Sequence, residues 1–125
     1  MRERIKLRVE DCYELEGDYQ NQFLGNEVFP QPKYKKLKPS KRTVNKVHYD
    51  DVYILEPNHY YYVSFNVSYK KEFEGVLYYI KLSENCLLNG LISIMGENED
   101  KLYLFNASQN VIYIQKGAPV AEVRL

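Results

Sequence analysis

The sequence predicts an all-β fold, a β-sandwich or jelly-roll-like barrel, and three observations support that prediction. Apolar runs are short and rich in Ile, Leu, Tyr and Val. Gly, Asn, Asp, Pro or Ser bounds each run, which is typical of antiparallel domains built from hairpins. In the last third of the chain, residues 81–125, no apolar pattern keeps helical spacing for more than one turn. We expect about eight to ten short strands in such a sandwich or barrel.

The chain is predicted to fold as a single domain over residues 1–125. Its 125 residues suffice for one hydrophobic core, and an apolar content of 45% is ordinary for a globular protein. Seventeen basic and seventeen acidic residues cancel, so the overall charge does not indicate nucleic acid or an anionic membrane as partner. No window resembles a membrane span or a signal peptide, so we expect a cytoplasmic protein without membrane contact.

The amino-terminal part combines one strand with two irregular stretches. Residues 1–15 alternate charged and apolar side chains, which predicts a strand with one buried face. The apolar members of this alternation are Ile5, Leu7 and Val9. Residues 16–32 are rich in Gly, Asn and Pro and predict a loop. Residues 33–48 carry seven Lys or Arg and no acid. Because Pro39 excludes a continuous helix there, we expect an exposed, mobile basic loop or arm.

The remainder is predicted to consist of strands joined by tight turns. The strand DDVYILEP is followed by a turn at 56–59 and by the long strand YYYVSFNVSY, whose Tyr61 and Val63 share one face. VLYYIKL comes next. The last third adds the strands LLNGLISIM, KLYLFNA and NVIYI, and a turn at 116–119 leads into VAEVRL. We expect this final strand to be placed for pairing with a neighbouring subunit.

Neither the cysteines nor the histidines have the spacing of a metal or redox site. Cys12 and Cys86 are far apart in sequence, so we expect two reduced thiols. His48 and His59 have no Cys or Asp at metal-ligand spacing. We therefore predict no metal site and no cofactor.

Three segments near the carboxy terminus carry the motifs of a known enzyme family. They are Gly90-Leu91, Leu104-Phe105-Asn106 and residues 116–123, KGAPVAEV. Matching positions upstream are Leu55, Pro57, Val63 and Gly75. With these motifs, residues 52–125 resemble the trimeric dUTPases and their relatives, the dCTP deaminases. The resemblance implies a distorted jelly roll, a homotrimer, and nucleotide sites in the clefts between subunits.

The chain departs from that family at the positions that carry its chemistry. The phosphate-binding Arg-Ser-Ser element falls on Ser83, Glu84 and Asn85, which include no arginine to grip phosphate. The hairpin that holds the catalytic base is shorter here, and its acids fit a solvated turn. Glu122 replaces the family's closing glutamine, and no glycine-rich arm follows it. The carboxylates left as catalytic candidates are Glu97, Glu99, Asp100 and Glu122.

These departures favour a catalytically degenerate dUTPase-like protein that acts by binding a nucleotide-type ligand between subunits, or a protein partner. The candidate ligand contacts are Lys81, Ser83, Asn85, Gly90 and Asn106. Composition and fold analogy favour a virus or phage source, and so a location in the host cytoplasm.

Two alternatives stay open at this point. One is an active nucleotide hydrolase or deaminase that uses Mg²⁺. The other is a nucleic-acid-binding or structural module that works through the basic stretch. The candidate nucleic-acid contacts are Lys35, Lys36, Lys38, Lys41 and Arg42.

Overall fold

Ten strands and one short helix make up the described part of the chain. The computed structural model describes residues 4–16, 33–65, 79–94 and 101–124. The strands are β1 (Arg4–Leu15), β2 (Tyr34–Lys36), β3 (Ser40–Val44), β4 (Val47–Leu55), β5 (Tyr60–Phe65), β6 (Tyr79–Leu82), β7 (Leu91–Ile94), β8 (Lys101–Asn106), β9 (Ile112–Gln115) and β10 (Pro119–Arg124). The helix α1 (Glu84–Leu88) lies between β6 and β7. The predicted all-β class is confirmed.

The strands form two antiparallel sheets that together make a nearly closed barrel. The larger sheet has seven strands in the order β6-β10-β1-β5-β8-β7, and β2 pairs with β1 beside this path. The smaller sheet has the order β3-β4-β9. The long strand β1 is central, because its residues 4–8 pair with β10 and its residues 9–14 pair with β5. The barrel architecture agrees with the prediction.

Period-two alternation decides which face of each strand enters the core. Along β8, buried residues alternate with half-buried ones over the whole strand. Leu7 and Val9 of β1 are buried as predicted, and so are Tyr61 and Val63 of β5. Full burial of each such apolar side chain contributes about 1.5–3 kcal/mol. A shift of one residue in any strand would expose this set and is therefore strongly disfavoured.

A bulge in β1 lies in the part of the strand that pairs with β5, just after the part that pairs with β10. The register shifts within residues 9–12, where one extra residue bends the strand. The Gly117 N–H donates to the Val9 carbonyl at 2.8 Å. The Tyr53 hydroxyl, from the smaller sheet, donates to the Glu10 carbonyl at 2.9 Å. The bulge therefore supplies one of the carbonyls that link the two sheets.

The basic stretch predicted as a mobile loop is instead largely strand, so that prediction is wrong. It contains β2, β3 and the start of β4, and most of its side chains are exposed as expected. Pro39 lies between β2 and β3, where it needs no ladder hydrogen bond. The turn that follows has Asn45 at φ 51° and Lys46 at φ 67°, which is the geometry of a type I′ hairpin turn. Exposed lysines are common on edge strands as well as in loops, so the polar composition of this stretch did not indicate a hairpin.

The predicted strand LLNGLISIM is shorter than expected, because its first residues belong to α1 and a turn. Ser83 caps α1, and its Oγ accepts a hydrogen bond from the Cys86 N–H at 3.3 Å. Gly90 adopts φ 94°, a conformation that ends the helix and starts β7 at Leu91. The apolar run therefore divides at its glycine.

The prediction for the last strand is also wrong, whereas both turns are confirmed. β10 is paired on both sides, with β1 and with β6, so it offers no free edge to a neighbouring subunit. The chain turns at 57–58 and at 116–117, with Asn58 at φ 60° and Gly117 at φ 89°. Within the described ranges, no helix has the length and apolarity needed to cross a bilayer. The predicted loop at 17–32 and the strand end at 66–69 lie outside the described residues.

Candidate functional site

A groove of about 290 Å³ on the larger sheet brings together four of the residues proposed from sequence. They are Lys81, Ser83, Asn85 and Glu122. Lys6, which the sequence did not single out, completes the polar lining together with Glu84. We call this feature the β6–β10 groove. Its side chains come from β1, β6 and β10 and from the start of α1, so the floor is a rigid sheet.

Strand register explains the charge pattern of the groove. Glu122 of β10 lies directly opposite Lys6 of β1 on one side and Lys81 of β6 on the other. Side chains opposed across antiparallel strands are close enough to interact. The Glu122 carboxylate is half-buried between two exposed lysines, so the row carries alternating charge. Glu122 therefore sits where it offsets lysine charge, which is a simpler role than that of a catalytic base.

Ser83 and Asn85 add neutral hydrogen-bonding groups to the lysines. The Ser83 Oγ already accepts from the Cys86 N–H, so its hydroxyl proton is the group left to donate. Asn85 is exposed at the start of α1. With two lysines balanced by Glu84 and Glu122, the lining has no net charge. Such a lining suits a polar ligand that carries little charge, and it matches a triphosphate poorly.

The two remaining ligand candidates, Gly90 and Asn106, have structural roles. Asn106 is 0% exposed. Its amide Nδ2 donates to the carbonyls of Leu55 and Asn110 at 3.0 and 2.9 Å, and its Oδ1 accepts from Ser108. Gly90 allows a close approach of the Ser108 side chain. Both residues therefore hold the β8–β9 connection in place. The full burial of Asn106 speaks against its predicted ligand contact, whereas that of half-buried Gly90 stays a prediction.

The other catalytic candidates, Glu97, Glu99 and Asp100, lie outside the described residues. In the described ranges, no group of three or more His, Cys, Asp and Glu side chains is arranged to hold a metal ion. The thiols there are free. Burial raises the pKa of Cys12 to about 12, and it also raises the pKa of Cys86, so neither residue has the lowered pKa of a nucleophilic cysteine.

The basic residues proposed for nucleic acid divide between the two sheets. Lys35 and Lys36 lie on β2, at the edge of the larger sheet, whereas Lys41 and Arg42 lie on β3. Lys38 is in the connection between them, and all five side chains are exposed. The Lys36 Nζ is 3.6 Å from Asp11 Oδ1. The structure therefore does not gather them into a single cluster.

A surface of aromatic side chains that the sequence did not predict lies beside Lys36. Tyr13, Tyr62 and Tyr103 form one row across β1, β5 and β8. The Tyr13 and Tyr62 rings stack at 4.4 Å, and the Tyr62 and Tyr103 centroids are 5.6 Å apart. Tyr34 of β2 meets the Tyr62 ring edge-on at 4.7 Å. We call these four rings, with Lys36 and Lys101, the tyrosine face.

The tyrosine face has polar and cationic character as well as aromatic area. The Lys101 Nζ lies 4.7 Å from the centroid of the Tyr62 ring, within the range of a cation–π contact. All four rings are half-buried. Burial, followed by the neighbouring tyrosines, raises the pKa of both Tyr34 and Tyr62. Alternation around buried Tyr61 predicts that Tyr62 faces outward, but no local pattern indicates that the other rings lie beside it.

A second hollow, of about 410 Å³, lies on the smaller sheet and differs in chemistry from the groove. Its lining is Val44, Tyr49, Val52, Asn89, Val111, Ile112, Tyr113 and Gln115. No charged side chain is among these residues, so the hollow offers no carboxylate base and no cation to pair with a phosphate.

Comparison with known proteins finds no family model and no curated protein that matches this chain.

Proposed function

We propose that this protein is a catalytically degenerate relative of the dUTPases that acts by binding a nucleotide-type ligand in the β6–β10 groove. The observation that carries the proposal is the convergence of Lys81, Ser83 and Asn85 on one groove with Lys6. An ammonium group, a hydroxyl and an amide can together contact a phosphate, a sugar hydroxyl and a base edge.

The charge balance of the groove narrows the ligand class. Two lysines face two carboxylates there, whereas the sites that grip triphosphates concentrate cations or backbone N–H groups. We therefore expect nucleosides and nucleoside monophosphates to bind more tightly than triphosphates. The two carboxylates also argue against phosphoryl transfer in the groove. The negative charge that develops in the transition state would lie beside Glu84 and Glu122 and be repelled.

Assembly is part of the proposal. The groove is open on one side, and a second subunit in a homotrimer would cover it in the manner that the family resemblance implies. The outer strands of the described sheets are β6, β7 and the short β2 in the larger sheet and β3 and β9 in the smaller sheet. Sedimentation velocity at micromolar concentration is expected to give the mass of three chains, and a monomer would contradict this arrangement.

Isothermal titration with matched deoxynucleosides, monophosphates and triphosphates tests the ligand. We expect the monophosphate to bind and Lys81→Ala or Asn85→Ala to weaken it by about tenfold, the value of one hydrogen bond to a charged group. Lys46→Ala, in the β3–β4 turn, removes a lysine outside the groove and is the matched control. Equal affinities in all variants, or no heat with any nucleotide, would contradict the proposal.

Turnover assays separate binding from the enzyme alternative. The protein incubated with each deoxynucleoside triphosphate and Mg²⁺ is expected to release neither pyrophosphate nor ammonia. Release that Glu122→Gln abolishes would instead support a hydrolase or deaminase.

A further inference from the structure

We propose that the tyrosine face binds single-stranded nucleic acid, with bases stacking against the rings and phosphates meeting Lys36 and Lys101. This surface shares no residue with the β6–β10 groove, so the inference stands apart from the nucleotide proposal.

The tyrosine rings provide the surfaces on which bases would stack. Tyr13, Tyr62 and Tyr103 follow one another across three strands at 4.4 and 5.6 Å, and Tyr34 closes the row from β2. Because each ring is half-buried, the sheet fixes its position while solvent still reaches part of it. Tyr13 and Lys101 cover the faces of the Tyr62 ring, so we expect bases to stack on its neighbours Tyr34 and Tyr103. Aromatic side chains held on a sheet can stack roughly two or three bases. A base does not need a particular sequence to stack, since every base has a π-face.

The lysines provide the positive charges that would contact the phosphates of the strand. The Lys101 ammonium lies over the Tyr62 ring. Lys36 stands opposite Tyr13 in the β1–β2 ladder, and its side chain is 62% exposed. Its Nζ is 3.6 Å from Asp11 Oδ1, and an exposed ion pair of this kind is weak enough for a phosphate to compete.

This combination favours a single-stranded nucleic acid over two other aromatic-binding polymers. A neutral polysaccharide would use the rings but has no need of the lysines. A duplex would use the lysines, but its bases are paired and stacked inside and cannot reach the rings. Of these three polymers, the unpaired, negatively charged strand is the one that uses both sets of side chains.

Fluorescence anisotropy with labelled oligothymidylate tests the proposal. An oligonucleotide of about 12 residues spans the usual size of such a site. Tyr34→Leu or Tyr103→Leu is expected to weaken binding by about tenfold or more, the effect of losing one stacked base. Tyr34→Phe and Tyr103→Phe keep the ring and are expected to bind like the unchanged protein. Tyr113→Leu, which alters a 47% exposed tyrosine on β9, is the matched control.

Salt dependence tests the lysines separately. Lys36→Gln or Lys101→Gln should each reduce the slope of log affinity against log salt concentration by about 0.7, as expected for one phosphate contact on a single strand. Lys116→Gln, in the β9–β10 turn, should leave that slope unchanged. Circular dichroism of every variant establishes that it is folded before its affinity is compared.

Three outcomes would overturn the inference. They are the absence of oligonucleotide binding at low salt, equal losses in Tyr113→Leu and Tyr103→Leu, and equal or tighter binding of the matched duplex. Tyrosine-dependent binding of a soluble neutral glucan in place of the oligonucleotide would assign the face to a polysaccharide instead.

Discussion

At the scale of single residues, Asn106 shows how one buried amide can fix a connection. It is the buried polar residue of the described ranges, and it contacts the end of β4 as well as the bends at 108–110 that lead to β9. A buried polar group is tolerated only when its partners are present. Here, all the hydrogen-bonding capacity of the amide serves the fold.

Replacing this amide should therefore be costly. Asn106→Leu keeps the volume but leaves the Leu55 carbonyl without its donor, so the free energy of unfolding should fall by about 3 kcal/mol. Asn110→Ala changes an exposed side chain of the same type nearby and should cost no more than about 0.5 kcal/mol. Urea unfolding followed by circular dichroism measures both. Similar small losses in the two variants would contradict this account.

Gly90 and Gly117 allow the energetic cost of a strained backbone to be separated from the cost of a steric contact. Both have positive φ, at 94° and 89°, so alanine strains the backbone at either position by about 1–2 kcal/mol. A Cβ on Gly90 would also lie 2.7 Å from the Ser108 Cβ, whereas one on Gly117 would meet nothing within 4 Å. Gly90→Ala should therefore lower the thermal midpoint clearly more than Gly117→Ala. Equal shifts would show that the Ser108 contact relaxes without cost.

At the scale of elements, the β3–β4 hairpin carries a local conflict between residue and conformation. Its turn requires two residues in the left-handed region, Asn45 and Lys46. Asparagine tolerates that region, but lysine does not favour it. Their neighbours Thr43 and His48 join across the hairpin, with 2.7 Å between Oγ1 and Nδ1. The hairpin is thus formed despite one unfavourable turn residue.

Lys46→Gly should relieve this strain. We expect the free energy of unfolding to rise by roughly 0.5–1 kcal/mol, because Asn-Gly is the preferred type I′ pair. Lys41→Gly removes a lysine from the middle of β3 and should instead cost about 0.5–1 kcal/mol. Thermal unfolding of both variants gives the signs. A destabilised Lys46→Gly variant would mean that the lysine side chain contributes more than its backbone strain costs.

At the scale of the whole molecule, burial of ionisable aromatic and thiol groups couples stability to alkaline pH. Burial raises the pKa of Tyr53 and of Cys12 to about 12, and it raises the pKa of Tyr61 as well. In the unfolded chain these groups lose their protons near pH 10 and pH 9. The folded state therefore binds more protons above those values, and its stability falls as pH rises towards the folded pKa values.

The expected outcome is cooperative unfolding between about pH 10 and pH 12. Absorbance at 295 nm, which follows tyrosine ionisation as pH is raised, should contain a component at high pH. This component should coincide with the loss of the β-sheet circular dichroism signal. Tyr113→Phe removes an exposed hydroxyl and should leave the midpoint of that component unchanged. Full ionisation of all tyrosines while the sheet signal persists would contradict the link between burial and stability.

Local patterns were sufficient to predict the class of the fold and the inward face of its main strands. Alternation identified Leu7, Val9, Tyr61 and Val63 as core residues, because the side-chain period of a strand is a property of the strand itself. The same local rules failed over 33–48, where exposed lysines on both faces of short strands leave no apolar period to detect.

Strand pairing, by contrast, was decided only in the tertiary structure. Tyr13, Tyr62 and Tyr103 are distant in sequence, and they form one row only because β5 lies between β1 and β8. Glu122 lies between two lysines for the same reason, since β10 separates β1 from β6. Partner and register follow from how whole strands bury their apolar faces together. The sequence pattern of a strand determines which of its side chains face the core. Which side chains of different strands lie side by side is determined only when the strands pack and pair.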